Sequence, residues 1–525
     1  MSVDPAQPQW RPRVNPWIVA GSVMLATYME VLDTTIVAVS LPHMAGNLSA
    51  TTEEATWVLT SYLVSNAIVL PASGWLALWF GRKRLLLVCV ALFTLSSFLC
   101  GIAPTMAFLV FARVLQGIGG GALQPLAQAI LLESFPPAKR GLAMAVYGIG
   151  VVVAPVIGPT LGGWLTDSYS WRWVFNINIP IGLLAFYLMR KNVEDPPYIT
   201  NAKPGKIDGL GFAYMTLWLA TLQVVLDKGQ QEDWFETAWI GWFSLISATA
   251  MVAFIFRELE TDHPIVNLRI LKNRNFWMGT ALMTVFGAAL YSTITMVPLF
   301  LQMMVGYTSL KAGVASSPRG IGSLFVMPAV GRLIQFLDAR WMLVAGLILF
   351  VLSTVLIANL NADMGMGNIV WPIVLQGVGM GFIFVPLSTL TVSTLRNEQM
   401  GNAAGIYNLM RNLGGSFGIS IATTYLARGA QAHQVVLAGH MSPYDPAFTE
   451  RFRAIQAGIT PYVGAPQSQA GAYGILQGLM IRESMLGAFL DNFRWIALIM
   501  ALMIPCVLFM KKVVHHHGPR GGGEH

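Results

Sequence analysis

Charge is scarce in this chain. Asp, Glu, Lys and Arg make up 11% of its 525 residues, against about a quarter in an ordinary soluble domain. Cysteine is scarcer still: Cys89, Cys100 and Cys506 all lie in or beside apolar runs. That pattern excludes a disulfide framework and a zinc-ligand spacing, and it expects no metal site. No His falls in the middle of an apolar run, so an intramembrane nucleophile–base pair or metal-dependent enzyme lacks its parts and no catalytic residue is assigned. The one cytoplasmic Gly-Lys stretch, Pro204-Gly205-Lys206-Ile207, lacks the spacing and the Ser or Thr of a phosphate-binding loop, which excludes a nucleotide-driven pump. Ten-residue alternating segments are also missing, so a β-barrel is excluded. The polar N-terminus carries no small-residue cleavage site, and the first apolar run reads as a retained helix.

What is present is hydrophobicity: 55% apolar residues and a mean hydropathy of +0.60. The runs predict an all-α polytopic membrane protein with fourteen spans of roughly 20 residues each. They fall at 17–40, 55–78, 84–103, 106–132, 141–163, 173–190, 207–226, 237–256, 276–304, 311–335, 342–360, 367–392, 402–426 and 493–511. Most of the 32 Lys and Arg lie on the side that carries both termini, which is therefore cytoplasmic by the positive-inside rule. The net charge of +7 is a topology signal rather than a nucleic-acid patch.

The chain repeats itself. Leu115-Gln116-Gly117-Ile118-Gly119 returns as Leu375-Gln376-Gly377-Val378-Gly379, and the same offset carries Gly141 to Gly401 and Tyr147 to Tyr407. A shared offset over several helices implies two parallel halves. The expected organisation is a six-helix bundle over 1–190, cytoplasmic linkers and two inserted helices over 191–275, and a second six-helix bundle over 276–525. The last unit includes a polar periplasmic segment at 427–492, in which only 472–480 reads as a short packing helix, and a cytoplasmic tail whose His515-His516-His517 run reads as flexible chain.

Ionisable residues at membrane depth are costly and mark functional candidates. Glu30 and Asp33 lie three apart in the first span and share a helix face. By the rise per residue, Glu30 sits about 2 Å outward of the span centre, Asp33 about 7 Å and Arg113 about 9 Å. Asp33 and Arg113 are thus matched in depth, either as a static ion pair or as a proton-handling pair. Glu30 is a second candidate. Arg319 and Arg411 have no acid in their own spans; they balance Glu30 and Asp33, bind anions, or hold carbonyls of broken helices. Thr34, Gln116, Asn408, Arg411 and Arg319 are expected at a substrate cavity. Gly150, Ala154, Gly158 and Gly162 recur every fourth residue with Pro155 and Pro159 between them, predicting a tight and kinked helix contact that is either a gating hinge or a static one. Gly74, Gly81 and Arg82 belong to a tight basic turn between two spans. Met296, Met303 and Met304 read either as a soft pocket wall or as plain lipid-facing or core residues.

These pieces resemble the major facilitator superfamily, and within it the fourteen-span, EmrB-type drug:proton antiporters. The resemblance runs from the first span to the Gly-rich end. It rests on Leu32-Asp33-Thr34-Thr35 through Pro42, on Arg113 through Gly119, and on the Gly150–Gly163 helix. Leu226-Asp227-Lys228-Gly229 and Asp233-Trp234-Phe235 add to it. It implies the major facilitator fold, Asp33 and Arg113 in proton coupling, and the glycine–proline helix in antiport. It implies no cofactor beyond the proton gradient, and a bacterial inner-membrane location. The implied substrates are amphipathic drugs, with a metabolite-specific transporter as the alternative. The implied partners are a periplasmic membrane-fusion protein of the EmrA type and an outer-membrane channel of the TolC type. One departure stands out: the family's acid after Leu-Ala is here Leu78, which removes the expected charge from the Gly81-Arg82 turn.

Overall fold

The computed structural model describes residues 12–136, 139–200, 208–360 and 364–511. Pro204–Ile207 and the His515–His517 run lie outside them. Among the described residues every regular element is helical. The first group is α1 (Pro16–Asn47), α2 (Thr52–Phe80), α3 (Arg82–Gly101), α4 (Met106–Gly120), α5 (Leu123–Ser134), α6 (Arg140–Ser168), α7 (Trp173–Asn176) and α8 (Asn178–Asn192). After the short α9 (Pro197–Thr200) come α10 (Gly209–Lys228) and α11 (Ala238–Glu260). The last group is α12 (Arg274–Met303), α13 (Ser309–Ser316), α14 (Pro318–Leu333), α15 (Ala339–Ile357), α16 (Met366–Val392), α17 (Met400–Gly439), α18 (Pro446–Val463) and α19 (Ala465–Val507).

Local chemistry sets many boundaries. Asn15 accepts from the Trp17 amide ahead of Pro16 at the start of α1. Thr51 and Glu54 form a reciprocal cap on α2, and Asp208 caps α10. Gly81, at φ +81°, makes the sharp turn from α2 to α3 that a side chain would strain. Within the helices, hydroxyls such as Thr27 and Thr94 bond back to the carbonyl four residues earlier. This satisfies polar groups without water. Large apolar side chains point outward, Phe325 and Trp371 among them, as a lipid-facing surface requires.

Twelve helical segments among the described residues are long and apolar enough to cross a membrane. The other two expected spans are also helical but differ in form. Residues 311–335 are broken at Ser317–Pro318 into α13 and α14, because proline removes the amide that would continue the ladder. Residues 402–426 open the 40-residue α17, which carries Arg411 and many glycines. The polar segment 427–492 corrects the sequence-based expectation. It is almost wholly helical: α17 and the 43-residue α19 extend past the apolar layer and α18 packs on α19. Phe452 on α18 stacks near Tyr473 on α19, with ring centroids 4.6 Å apart. An aromatic seam among otherwise polar residues makes this extension a folded element, though its composition reads as loop.

The internal repeat has a structural basis. A Cβ at Gly119 would meet the α3 backbone at Phe93, and its counterpart at Gly379 would meet the α15 backbone at Phe350. A Cβ at Gly117 would meet Ser65 and the Tyr62 carbonyl on α2, and one at Gly377 would meet the Arg319 carbonyl on α14. Equivalent glycines thus let equivalent helix pairs approach in each group. The groups meet at the end of the molecule where Arg13 and Lys511 lie, termed the basic end. There Gly74 lies against the Gly401–Asn402 backbone, Gly141 against Ile334, and Arg140 donates to Asn397 at 2.8 Å. The inserted α10 and α11 pack on each other, with α10 against both α2 and α17.

The glycine face of α6 packs on α1: a Cβ at Gly162 would lie 2.6 Å from the Ile36 carbonyl oxygen, and one at Gly158 would collide with Thr35 Oγ1. Gly162→Ala should therefore destabilise the purified protein by about 1–3 kcal/mol, the scale of overpacking. Gly21→Ala, inside α1 with nothing within 4 Å of its Cβ, should not lower the thermal unfolding midpoint, since alanine also favours the helix.

Candidate functional site

Two carboxylates on one helix enter two different environments. Asp33 is fully buried among α1, α3, α4 and α8. It accepts from Arg113 Nη1 at 2.5 Å, from Gln116 Nε2 at 3.0 Å and from Asn178 Nδ2 at 2.8 Å. Arg113 also donates to Gln116 at 2.7 Å and to the Val58 carbonyl at 3.0 Å, and its guanidinium lies 4.2 Å from the Tyr62 ring centroid. Ser97 accepts from Gln116 at 2.7 Å. A charge this deep is costly unless it is paired and hydrogen-bonded, and this pair has both. The match in depth expected from the sequence is a direct contact. Sequence reasoning missed Asn178. The signal available was an amide at the break between α7 and α8, where the helix start turns polar groups inward.

Glu30, one turn away, faces the space between the two groups. Its Oε1 accepts from Tyr62 at 3.1 Å and from Asn66 at 3.2 Å, and its Oε2 accepts from Gln124 Nε2 at 2.5 Å. The same Gln124 amide accepts, through Oε1, from Arg411 on α17. One glutamine therefore joins a carboxylate of the first group to a guanidinium of the second. Nearby, Asn408 accepts from Tyr147 at 2.8 Å and donates to Gln128 at 2.5 Å, a second polar clasp across the same seam.

A cavity of about 680 Å³ opens beside Glu30. Its wall includes Thr34, Tyr62, Gln124, Asp227 and Arg319. Pro42, Asp227 and Gln302, in its rim, lie near the ends of α1, α10 and α12 remote from the basic end, so the cavity opens away from that end. Of the residues expected at a cavity, Thr34 and Arg319 line it. Gln116, Asn408 and Arg411 do not: Gln116 is consumed by the Asp33 network, and the other two are held in the seam. Pro155 and Pro159 face the cavity while Gly158 and Gly162 face α1, so α6 presents its prolines and its small residues on different sides. The inserted α10 supplies Gln223 and Asp227 to the wall, a contribution not read from the sequence. Gln223 accepts from Ser416 on α17 at 3.1 Å and Asp227 accepts from Thr60 on α2, so α10 touches both groups.

At the basic end Arg82 is buried and ion-paired with Glu133 of α5, with the Tyr198 ring centroid 5.7 Å away. Burial pushes the Tyr198 hydroxyl up from its ordinary value, with Arg82 pulling the other way. Asp195 accepts from the Lys83 amide at 2.9 Å beside Gly81. Glu133 and Asp195 thus place carboxylates at the turn, where Leu78 carries none.

Residues 23–419 match the family model of the Major Facilitator Superfamily. The chain is 37% identical over 506 residues to the fatty acid resistance protein FarB of Neisseria gonorrhoeae, covering 96% of this chain and 97% of that protein. It is 34% identical over 509 residues to the multidrug export protein EmrB of Escherichia coli K12, covering 97% and 98%. The crystal structure of the human organic anion transporter MFSD10 has a similar fold, with a TM-score of 0.58 at 14% identity over 93% of this chain and 100% of that one.

Removing one partner of the buried pair leaves a charge without compensation. Asp33→Asn and Arg113→Met should each destabilise the purified protein by about 3–5 kcal/mol. The double substitution should cost clearly less than the two combined. Additive costs in thermal unfolding would show that the pair is not a thermodynamic unit.

Proposed function

The chain belongs to the major facilitator superfamily, and from that premise we propose that it is a secondary active exporter of amphipathic drugs in exchange for protons. It is a multi-pass membrane transporter rather than an enzyme. The observation that carries the exchange reading is the placement of Glu30: a buried carboxylate in the wall of the central cavity, one helical turn from the sealed Asp33–Arg113 pair. A carboxylic acid that can be reached from a substrate cavity can give its proton to cavity water and then hold an amphipathic cation as the carboxylate. The Asp33–Arg113 pair behind it holds a compensating charge that a change of helix packing can expose.

In this reading the two helix groups are the moving halves, 1–190 and 276–525, and α10 with α11 forms a side wall. The basic end faces the cytoplasm of a bacterial inner membrane, by the distribution of Lys and Arg. The structure then corresponds to the releasing state, sealed at the Gly74–Gly401, Arg140–Asn397 and Tyr147–Asn408 contacts. The Glu30–Gln124–Arg411 connection couples charge to closure: protonating Glu30 removes the anion that faces Arg411 through Gln124 and weakens the seam. The driving force is the proton gradient, with no cofactor. The helical extension at 427–492, with Tyr444 and Tyr462 exposed, is the contact for a periplasmic membrane-fusion protein of the EmrA type, which joins a TolC-type outer channel in a tripartite pump. A narrower, metabolite-specific role is favoured by one observation, the relative at 37% identity whose name specifies fatty acid resistance.

In proteoliposomes, a pH gradient should drive dye accumulation by the wild type, and an uncoupler should abolish it. Glu30→Gln and Asp33→Asn should each slow it by about tenfold or more, as expected for loss of an intramembrane proton relay. Arg113→Ala should behave similarly, and gradient-free substrate exchange should survive in Glu30→Gln. Transport indifferent to the uncoupler would refute proton coupling. Deleting 446–463 should abolish co-purification with an EmrA-type protein, and unchanged recovery would refute that contact.

A further inference from the structure

Arg319 is the cation in the cavity wall that the transport scheme leaves without a role. It lies at the second position of α14, directly after Pro318, and its residue surface is 2% exposed. Among the described residues it makes one hydrogen bond, from Nη2 to the Thr293 carbonyl on α12 at 3.4 Å. Among the same residues its Nε has no acceptor and no carboxylate lies within ion-pair distance. The two acids of the same cavity are engaged elsewhere: Glu30 with Tyr62, Asn66 and Gln124, and Asp227 with Thr60. A guanidinium buried beside a cavity and short of acceptors is costly to keep, and a planar carboxylate is the group that satisfies it best, through two parallel hydrogen bonds.

We propose that Arg319 is an anion subsite that binds the carboxylate of an amphiphilic acid, with the acid's hydrocarbon part lying on the apolar cavity wall. The wall supplies that surface through Leu59, Leu63, Ile294, Pro298 and Leu413. A volume of about 680 Å³ lies within the range that holds a drug-sized ligand. The occupant is a free acid rather than the phosphate of a bilayer lipid. Six residues separate Arg319 from Gly313, the outermost α13 residue in the cavity wall, roughly 9 Å along the helix axis, which sets the guanidinium beneath the cavity mouth. This assignment rests on the transport reading for its biological meaning but not for its test, because equilibrium binding needs no turnover.

The test measures binding of decanoate and of its neutral isostere decanamide to the full chain in phosphatidylcholine nanodiscs, corrected for empty nanodiscs. The wild type should prefer decanoate by about tenfold or more, the effect of a charge-assisted hydrogen bond. The preference should fall towards one in Arg319→Gln and return in Arg319→Lys. The ratio is internally normalised, so decanamide binding reports that each variant is folded. A wild type without the preference, or an Arg319→Gln protein that keeps it, would overturn the proposal. A chain that shows this ratio but moves no dye refutes the exporter reading while leaving the subsite in place.

Discussion

The cost of placing charge inside an apolar layer governs this molecule. Asp33 and Arg113 are fully buried and persist because each compensates the other's charge, with Gln116, Asn178, Ser97 and the Val58 carbonyl adding hydrogen bonds around the pair. That network draws on α1, α2, α3, α4 and α8, so the same hydrogen bonds that neutralise the charges hold the first helix group together. Glu30 and Arg319, which have no ion-pair partner among the described residues, face a cavity instead.

Close backbone approach is the second constraint, and glycine makes it possible. In a layer without water there is little hydrophobic gain from bringing helices together, so contact area and short distances must supply the attraction. Gly158 and Gly162 bring α6 onto α1, Gly117 and Gly119 seat α4 against α2 and α3, and Gly377 and Gly379 repeat this in the second group. The seam between the groups combines both constraints. Gly74 meets the α17 backbone at the basic end, and polar side chains such as Asn408, Tyr147 and Gln124 carry the contact towards the cavity. Amides and hydroxyls can make and break such bonds without stranding a charge, which suits an interface that must open.

Much of this was legible from residue order. Apolar runs of membrane length locate the helices, because a bilayer allows almost no other spanning structure. The offset between Gly117 and Gly377 exposes the duplicated helix pairs, because a glycine needed for close packing is needed again in the copy. Matched depth brings Asp33 and Arg113 together on paper, because the rise per residue is constant. The helical extension over 427–492 was not legible, since its stability comes from ring contacts such as Phe452 with Tyr473 between segments whose composition is that of a loop. Nor was the charge at the turn at Gly81, where Leu78 carries no acid and Glu133 and Asp195 place carboxylates from distant positions in the chain.

The sequence by itself determined height: where the apolar runs lie, how far along each a charge sits, and which charges share a level. Rotation about each helix axis was decided only by the tertiary structure. Glu30 and Asp33 differ by three residues, which on an α-helix separates them by about 60° around the axis. That angle turns one into a closed bundle with Arg113 and the other into an open cavity beside Gln124. Height follows from chain geometry, which is local. The direction in which a side chain points matters only relative to neighbouring helices, and their positions are set by packing across the whole molecule.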